Sequence, residues 1–431
     1  MVIDLGDVRS VAETPDRQRR RPARPAAQPV VLGAVMLALL ALGGSAGPLP
    51  ALHRVLTADG SSGVFAPPST LFTAGSDAST GDRTWVRRYS LPDRSMTWAA
   101  RLPQSVERLD FAGSANVLVA ASLSTIDDGQ ISVLDGDTGR VLWRRASGVA
   151  VLRLADTSAL ISTAATDPPV LNRVDLRTGA TLWSRSFDPT EYLDVGDPAF
   201  GAPTRIVTVD RRGLATVYDF TDGTVLAAAD LGAGPRQNDG RTDTTQFTAV
   251  GDRLYLARRV RGAASLTAYR LADLQRVWRS TSVPVGRLTW CGSALCVTTA
   301  VGMTVLDSAD GSVRWSGTRW LLGYDTRAAG IPGPARLAVI DGLENPQRAL
   351  LDPASGRVLS LLSRSTFVGG TLLRSDVREA GRTWVQVPGP GNSFRTVGRL
   401  ETVAPTRCVA VTAYLACPTS TGSTAVWQIP H

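Results

Sequence analysis

The sequence predicts an all-β chain: a single β-propeller of four-stranded blades, preceded by one transmembrane helix. Three observations carry that prediction. A hairpin with a fixed turn recurs through nearly everything after residue 52, its spacing averages about 42 residues, and an uncharged apolar stretch lies ahead of it. One four-stranded sheet of that size cannot bury both faces until neighbouring blades stack on it, so the repeat implies a ring.

The clearest hairpin runs from Ile131 to Arg144. Ile131 to Asp135 alternates apolar and polar side chains, as a half-buried strand does, and Asp135-Gly-Asp-Thr-Gly139 makes a tight turn. Asp135 can accept backbone N–H bonds across the turn, and Gly139 supplies the φ > 0 position that closes it. Trp143 then sits in the returning strand. The offset from Asp135 to Trp143 is repeated from Asp175 through Gly179 to Trp183, and from Asp307 through Gly311 to Trp315. Looser copies begin at Ser90, Asp219, Arg270 and Asp352 and end in Trp98, Ala227, Trp278 and Ser360. Two late copies, at Val387 and Gln428, are recognisable only by position. Because those last units are the most degenerate, eight blades are expected, within a range of seven to nine.

Each unit offers strand candidates in the same order; in the second these are 106–111, 116–122, 131–134 and 141–145, and in the fifth 246–250, 253–258, 265–271 and 276–280. Residues 52–57 read as a lone strand, and 423–430 as a third strand without its fourth. The two gaps match, so residues 52–57 are expected to pair beside 424–429. The long connections 188–204 and 230–245 are loops by composition.

The stretches 133–143 and 174–183 resemble the PQQ-like, tryptophan-docking propeller repeat, shared by quinoprotein dehydrogenases and the outer-membrane assembly lipoprotein BamB. The resemblance covers about residues 52–430 and implies a fold without specifying a function. It implies that Trp98, Trp143, Trp183, Trp278 and Trp315 dock across the neighbouring blade. Quinoprotein dehydrogenases carry a vicinal Cys-Cys disulfide against the quinone and a calcium held by a Glu/Asn/Asp set. Here no two cysteines are adjacent and no such acid set can be placed, so no cofactor and no metal are expected.

Ahead of the repeats, residues 1–28 are polar and Pro/Arg-rich and read as a disordered cytoplasmic tail. Residues 29–51 read as a transmembrane signal-anchor whose strongest part is Val30 to Leu42. Arginines before it and few after it put the N-terminus in the cytoplasm and residues 52–431 outside it. The rival is a cleaved signal peptide, with Gly44-Ser-Ala46 as a small-residue site.

Composition narrows the chemistry. The 46 basic residues include no lysine, and the net charge of +8 is spread over 431 residues, so nucleic acid is not an expected partner. Only His53 and His431 are present, leaving a Ser-His-Asp triad or a His-rich zinc site without its histidines. Asp135, Asp175, Asp219, Asp307 and Asp352 are assigned to turns, and Asp239 and Asp243 to a solvated loop. Four cysteines allow three pairings; proximity favours Cys291 with Cys296 and Cys408 with Cys417, each pair across the first two strands of one blade. Free buried thiols and a poorly spaced zinc site are the alternatives.

These features point to a non-catalytic, membrane-tethered, extracytoplasmic propeller that docks a protein partner in cell-envelope assembly or signalling. The other readings are a module binding cell-wall glycan or another ligand, and an enzyme with carboxylates or metal in the central channel. No cysteine precedes Cys291, so the lipidated anchor of the BamB resemblance is not expected.

Overall fold

Short apolar-alternating segments bounded by Gly, Asp and Pro turns give strands of three to eight residues in the computed structural model. It describes residues 51–430 apart from 77–83, 123–128, 146–148, 164–169, 187–191, 197–202, 211, 233–243, 261, 293, 327–335, 342–346, 376–380, 391–392, 404 and 412. The expected tail and transmembrane segment up to residue 50, much of both long connections, Asp239, Asp243 and His431 lie outside the described residues. No helix among the described residues is long and apolar enough to cross a membrane.

The described strands form nine four-stranded antiparallel sheets. Blades 1 to 8 occupy residues 62–102, 108–145, 149–186, 192–230, 244–280, 287–317, 320–363 and 365–401. Blade 9 combines 409–411, 414–418 and 423–428 with the N-terminal strand 54–59. Nine blades correct the expectation of eight. The last two units lack the Asp-to-Gly turn signature, but their strands keep the alternation and antiparallel pairing that a blade requires.

Closure follows the pairing expected from the two ends of the repeat array. Arg54 pairs with Trp427 and Asp59 with Ser423, antiparallel, so the first strand of the chain completes the last blade. The innermost strand of blade 1 packs against the innermost strands of blades 2 and 9. The ring is sealed by hydrophobic layers between blades. Phe72, Val86, Leu109 and Leu118 fill the joint between blades 1 and 2, and Leu254, Val207, Val217 and Leu274 the joint between 4 and 5.

Candidate functional site

The repeated motif builds the joints between blades. In the blade 2 turn, Asp135 Oδ1 accepts from the Thr138 backbone N–H at 2.9 Å and the Thr138 hydroxyl at 2.9 Å. The Gly139 N–H donates to the Asp135 carbonyl at 3.0 Å, and Gly139 takes φ +70°. Those amide bonds hold the Asp135 carboxyl below the usual carboxylate range, with the Thr138 N–H the largest cause. Asp175 is built the same way, with bonds of 2.8 Å from the Thr178 N–H and hydroxyl. Its desolvation pushes up but is outweighed, so its carboxyl also lies low.

Four residues beyond Gly139, Gly179 and Gly311 stands the docking tryptophan of the same blade, and an irregularity in register places it. Val133 pairs with Trp143 but Leu134 pairs with Val141, so Leu142 is an extra residue in the outer strand. Such a bulge re-aims the side chains around it. The Trp143 Nε1–H donates to the Leu176 carbonyl of blade 3 at 2.8 Å. Equivalent bonds run from Trp98 to Gly136 at 3.2 Å, Trp183 to Phe220 at 3.0 Å, Trp278 to Ser308 at 3.1 Å and Trp315 to Pro353 at 3.0 Å.

The indole lies flat on the next turn glycine. A Cβ at Gly139 would stand 2.6 Å from Trp98, and one at Gly179, Gly223, Gly311 or Gly356 would stand 2.6–2.9 Å from Trp143, Trp183, Trp278 or Trp315. Glycine is therefore required twice at each of these positions, for its φ and for the approach of the ring. The sequence signature of Gly139, Gly179 and Gly311 carries the first reason only; the second depends on which blade comes next.

Arginines reinforce these joints, and the motif does not show them. Arg145 and Arg185, each two residues beyond a docking tryptophan, donate to the carbonyls of Gly179 at 3.2 Å and Gly223 at 2.7 Å. Arg177 reaches back to blade 2, pairing with Asp135 at 3.1 Å and donating to the Ala115 carbonyl at 2.8 Å. A Trp-x-Arg pattern at 143–145 and 183–185 is the signal that marks the first two.

One joint inverts the scheme. Blade 4 has Ala227 at the tryptophan position, and blade 5 has Leu274 where the glycine belongs. Leu274 takes φ +54°, its N–H donates to the Arg270 carbonyl at 2.7 Å, and its side chain is buried in the layer that includes Ala227. The large side chain has moved from the strand to the turn.

The cysteines stand in blades 6 and 9. Cys291 and Cys296 are bonded, with Cα atoms 5.9 Å apart, and so are Cys408 and Cys417, 4.1 Å apart. Both bridges are buried between blades, the first against Trp320 and Leu337 and the second against Leu52, Leu400 and Trp427.

A family model described as outer membrane protein assembly factor BamB matches residues 74–317, more than half the chain. The chain belongs to this BamB family. The matched region contains all five docked tryptophans, whereas the BamB-like signature fades in blades 8 and 9, which lie beyond it. Among solved structures, BamB from Moraxella catarrhalis is 14% identical, covers 88% of this chain and 98% of its own, and has a TM-score of 0.46. The C-terminal WD40 domain of Sif2 is 10% identical, with 89% and 100% coverage and a TM-score of 0.44. A europium-containing methanol dehydrogenase is 12% identical, with 87% and 85% coverage and a TM-score of 0.40. No curated protein matches the sequence.

Both disulfides join separated cysteines, and no three metal-ligating side chains converge among the described residues. The motif aspartates are committed to their turns.

Proposed function

We propose that this chain is a non-catalytic propeller scaffold, tethered to the membrane by its N-terminal segment and facing away from the cytoplasm, that docks a protein partner in cell-envelope assembly or signalling. Membership of a family described as an assembly factor supports the class. Two disulfides fit an oxidising compartment.

The observation that carries the reading is the contrast among outer strands. An edge strand presents unpaired backbone groups, and charged side chains normally keep other chains from adding to it. The outer strands of blades 1, 2, 3, 5 and 6 all carry arginine, at Arg101, Arg144, Arg185, Arg279 and Arg314 among others. Those of blades 4 and 7, Val225–Asp230 and Val358–Ser363, carry no arginine, and their one charged side chain is Asp230 at the end of the blade 4 strand. They expose Val225, Leu226, Val358 and, at 57% accessibility, Leu361. These are edges on which an extended apolar segment of a partner adds as a further strand.

A photo-crosslinking side chain at Ala228 or Leu361 of the full chain in intact membranes is expected to capture one protein in common. Arginine at Leu226 or Val358 should abolish that adduct without changing the melting temperature, while a probe at Ser316 on blade 6 should give none. Equal adducts from every blade, or stoichiometric quinone or metal in the purified chain with no adduct, would overturn the scaffold reading.

A further inference from the structure

Ring closure builds a cleft to which the first strand of the propeller and its last hairpin both contribute. The cleft is about 500 Å³ and opens at the seam between blades 9 and 1. That is within the size range of small-ligand sites. Asp59 and Ser61 come from the end of the N-terminal strand and the connection after it, Trp85 and Arg87 from blade 1, and Thr421 and Ser423 from the last hairpin of the chain.

Its floor is backbone. Gly60 has φ +106°, and a Cβ there would stand 2.5 Å from the Ala74 carbonyl oxygen; a Cβ at Gly75 would stand 2.7 Å from the Gly60 Cα. Two chain segments are thus pressed together with no side chain between them, which keeps the space above them open. Gly75 is also the cross-strand partner of Trp85, so no side chain covers the indole from that strand. Two guanidiniums lie over the ring, that of Arg101 4.8 Å and that of Arg87 5.8 Å from its centroid.

The remaining lining is polar and mixed in sign. Asp59 pairs with Arg87 at 3.4 Å yet stays 73% exposed, its carboxylate turned to solvent. The hydroxyls of Thr421 and Ser423 line it 3.1 Å apart, and each lies 2.8 Å from the hydroxyl of Thr419 behind them. The backbone beneath is fixed by the Thr424 hydroxyl, which donates to the Gly60 carbonyl at 2.6 Å.

A flat indole beside a carboxylate–guanidinium pair and a row of hydroxyls matches one ligand chemistry. A phosphate or sulfate would meet the Asp59 carboxylate, and a metal ion would meet Arg87. An apolar ligand would strip water from the hydroxyls and the ion pair without replacing their bonds. A pyranose ring supplies C–H bonds for the aromatic wall and hydroxyls that both donate to Asp59 and accept from Arg87, Thr421 and Ser423. We propose that this cleft binds a neutral saccharide. The site is separate from the outer edges of blades 4 and 7, so it stands or falls independently of partner docking. Because both chain ends line it, saccharide also favours the closed ring.

Titration calorimetry of the full-length chain with chitohexaose and cellohexaose, and with hexagalacturonate and inorganic phosphate as anionic probes, tests the proposal. Saturable binding of a neutral oligosaccharide is expected, weakened about tenfold by Trp85→Ala and no more than about threefold by Trp85→Phe. Asp59→Asn, an exposed substitution that leaves the fold intact, should weaken it about fivefold. The melting temperature of the wild type should rise with added oligosaccharide. The proposal is overturned if no neutral oligosaccharide binds, if only the anionic probes bind, or if Asp59→Asn and Trp85→Ala both bind as the wild type does.

Discussion

The joint between blades 3 and 4 and the joint between blades 4 and 5 solve one packing problem in opposite ways. In the first, Trp183 lies flat on Gly223 and bonds the Phe220 carbonyl. In the second, Ala227 leaves the strand side small and Leu274 fills the space from the turn side. Both turns nevertheless close with the same backbone bond, 3.0 Å from the Gly223 N–H to the Asp219 carbonyl and 2.7 Å from the Leu274 N–H to the Arg270 carbonyl. The left-handed turn conformation is therefore the invariant, and the tryptophan–glycine pair is one way of filling the gap that the turn leaves. Leucine is held in a region L side chains rarely adopt because its burial outweighs that strain.

The largest expected effect comes from breaking the first joint. Trp183→Ala should lower stability by about 3 kcal/mol, through the lost ring and the cavity it leaves, read as the urea midpoint. At the second joint, Ala227→Trp alone would drive an indole into Leu274, and Leu274→Gly alone would leave a void. Combined, they rebuild the tryptophan–glycine pair, and the double variant should recover at least about 1 kcal/mol relative to the sum of the single changes. Simple additivity would show that the two positions do not trade volume.

The disulfides extend the comparison to the joint between blades 8 and 9, where no tryptophan docks onto a turn glycine among the described residues. Replacing both cysteines of a bridge by alanine should cost about 2–3 kcal/mol on loop length alone. The loss should be larger for Cys408 and Cys417, which sit in the layer joining blades 8 and 9, than for Cys291 and Cys296, whose blade is also held by Trp278 and Trp315. Equal losses would mean that the joint between blades 8 and 9 is as well secured as the docked joints.

The smallest effects are protonic and have opposite signs at the two ends of the pH scale. Asp135, Asp175, Asp307 and Asp352 lie below the ordinary carboxylate value, each through hydrogen bonds in its turn. Their contribution is present above about pH 4 and is lost as pH falls through the lowered values. Tyr255, buried in the blade 5 core beside Trp278, is pushed up to about 12 by desolvation. Its neutral form belongs to the fold, so its contribution is complete below about pH 10 and is lost as pH rises toward 12. Asp135→Asn should flatten the acid limb of the stability profile, and Tyr255→Phe the alkaline limb.

The propeller class, the strand order within each unit and the pairing of the two chain ends were legible in the sequence, because each rests on local alternation, turn chemistry and spacing. The short Cys-to-Cys separations likewise marked the bridged pairs. Blade number was less legible: the last units keep their strands after losing the turn residues that announce them, since ladder pairing tolerates many side chains where a left-handed turn does not. What only the tertiary structure decided is everything that depends on the neighbouring blade. The Leu274–Ala227 exchange, the arginines that cross between blades and the cleft between the two chain ends all join residues from different repeats. The repeat spacing carries no information about such pairs. The size of a side chain in a joint is set by the space its neighbour leaves, and that space exists only once the ring has closed.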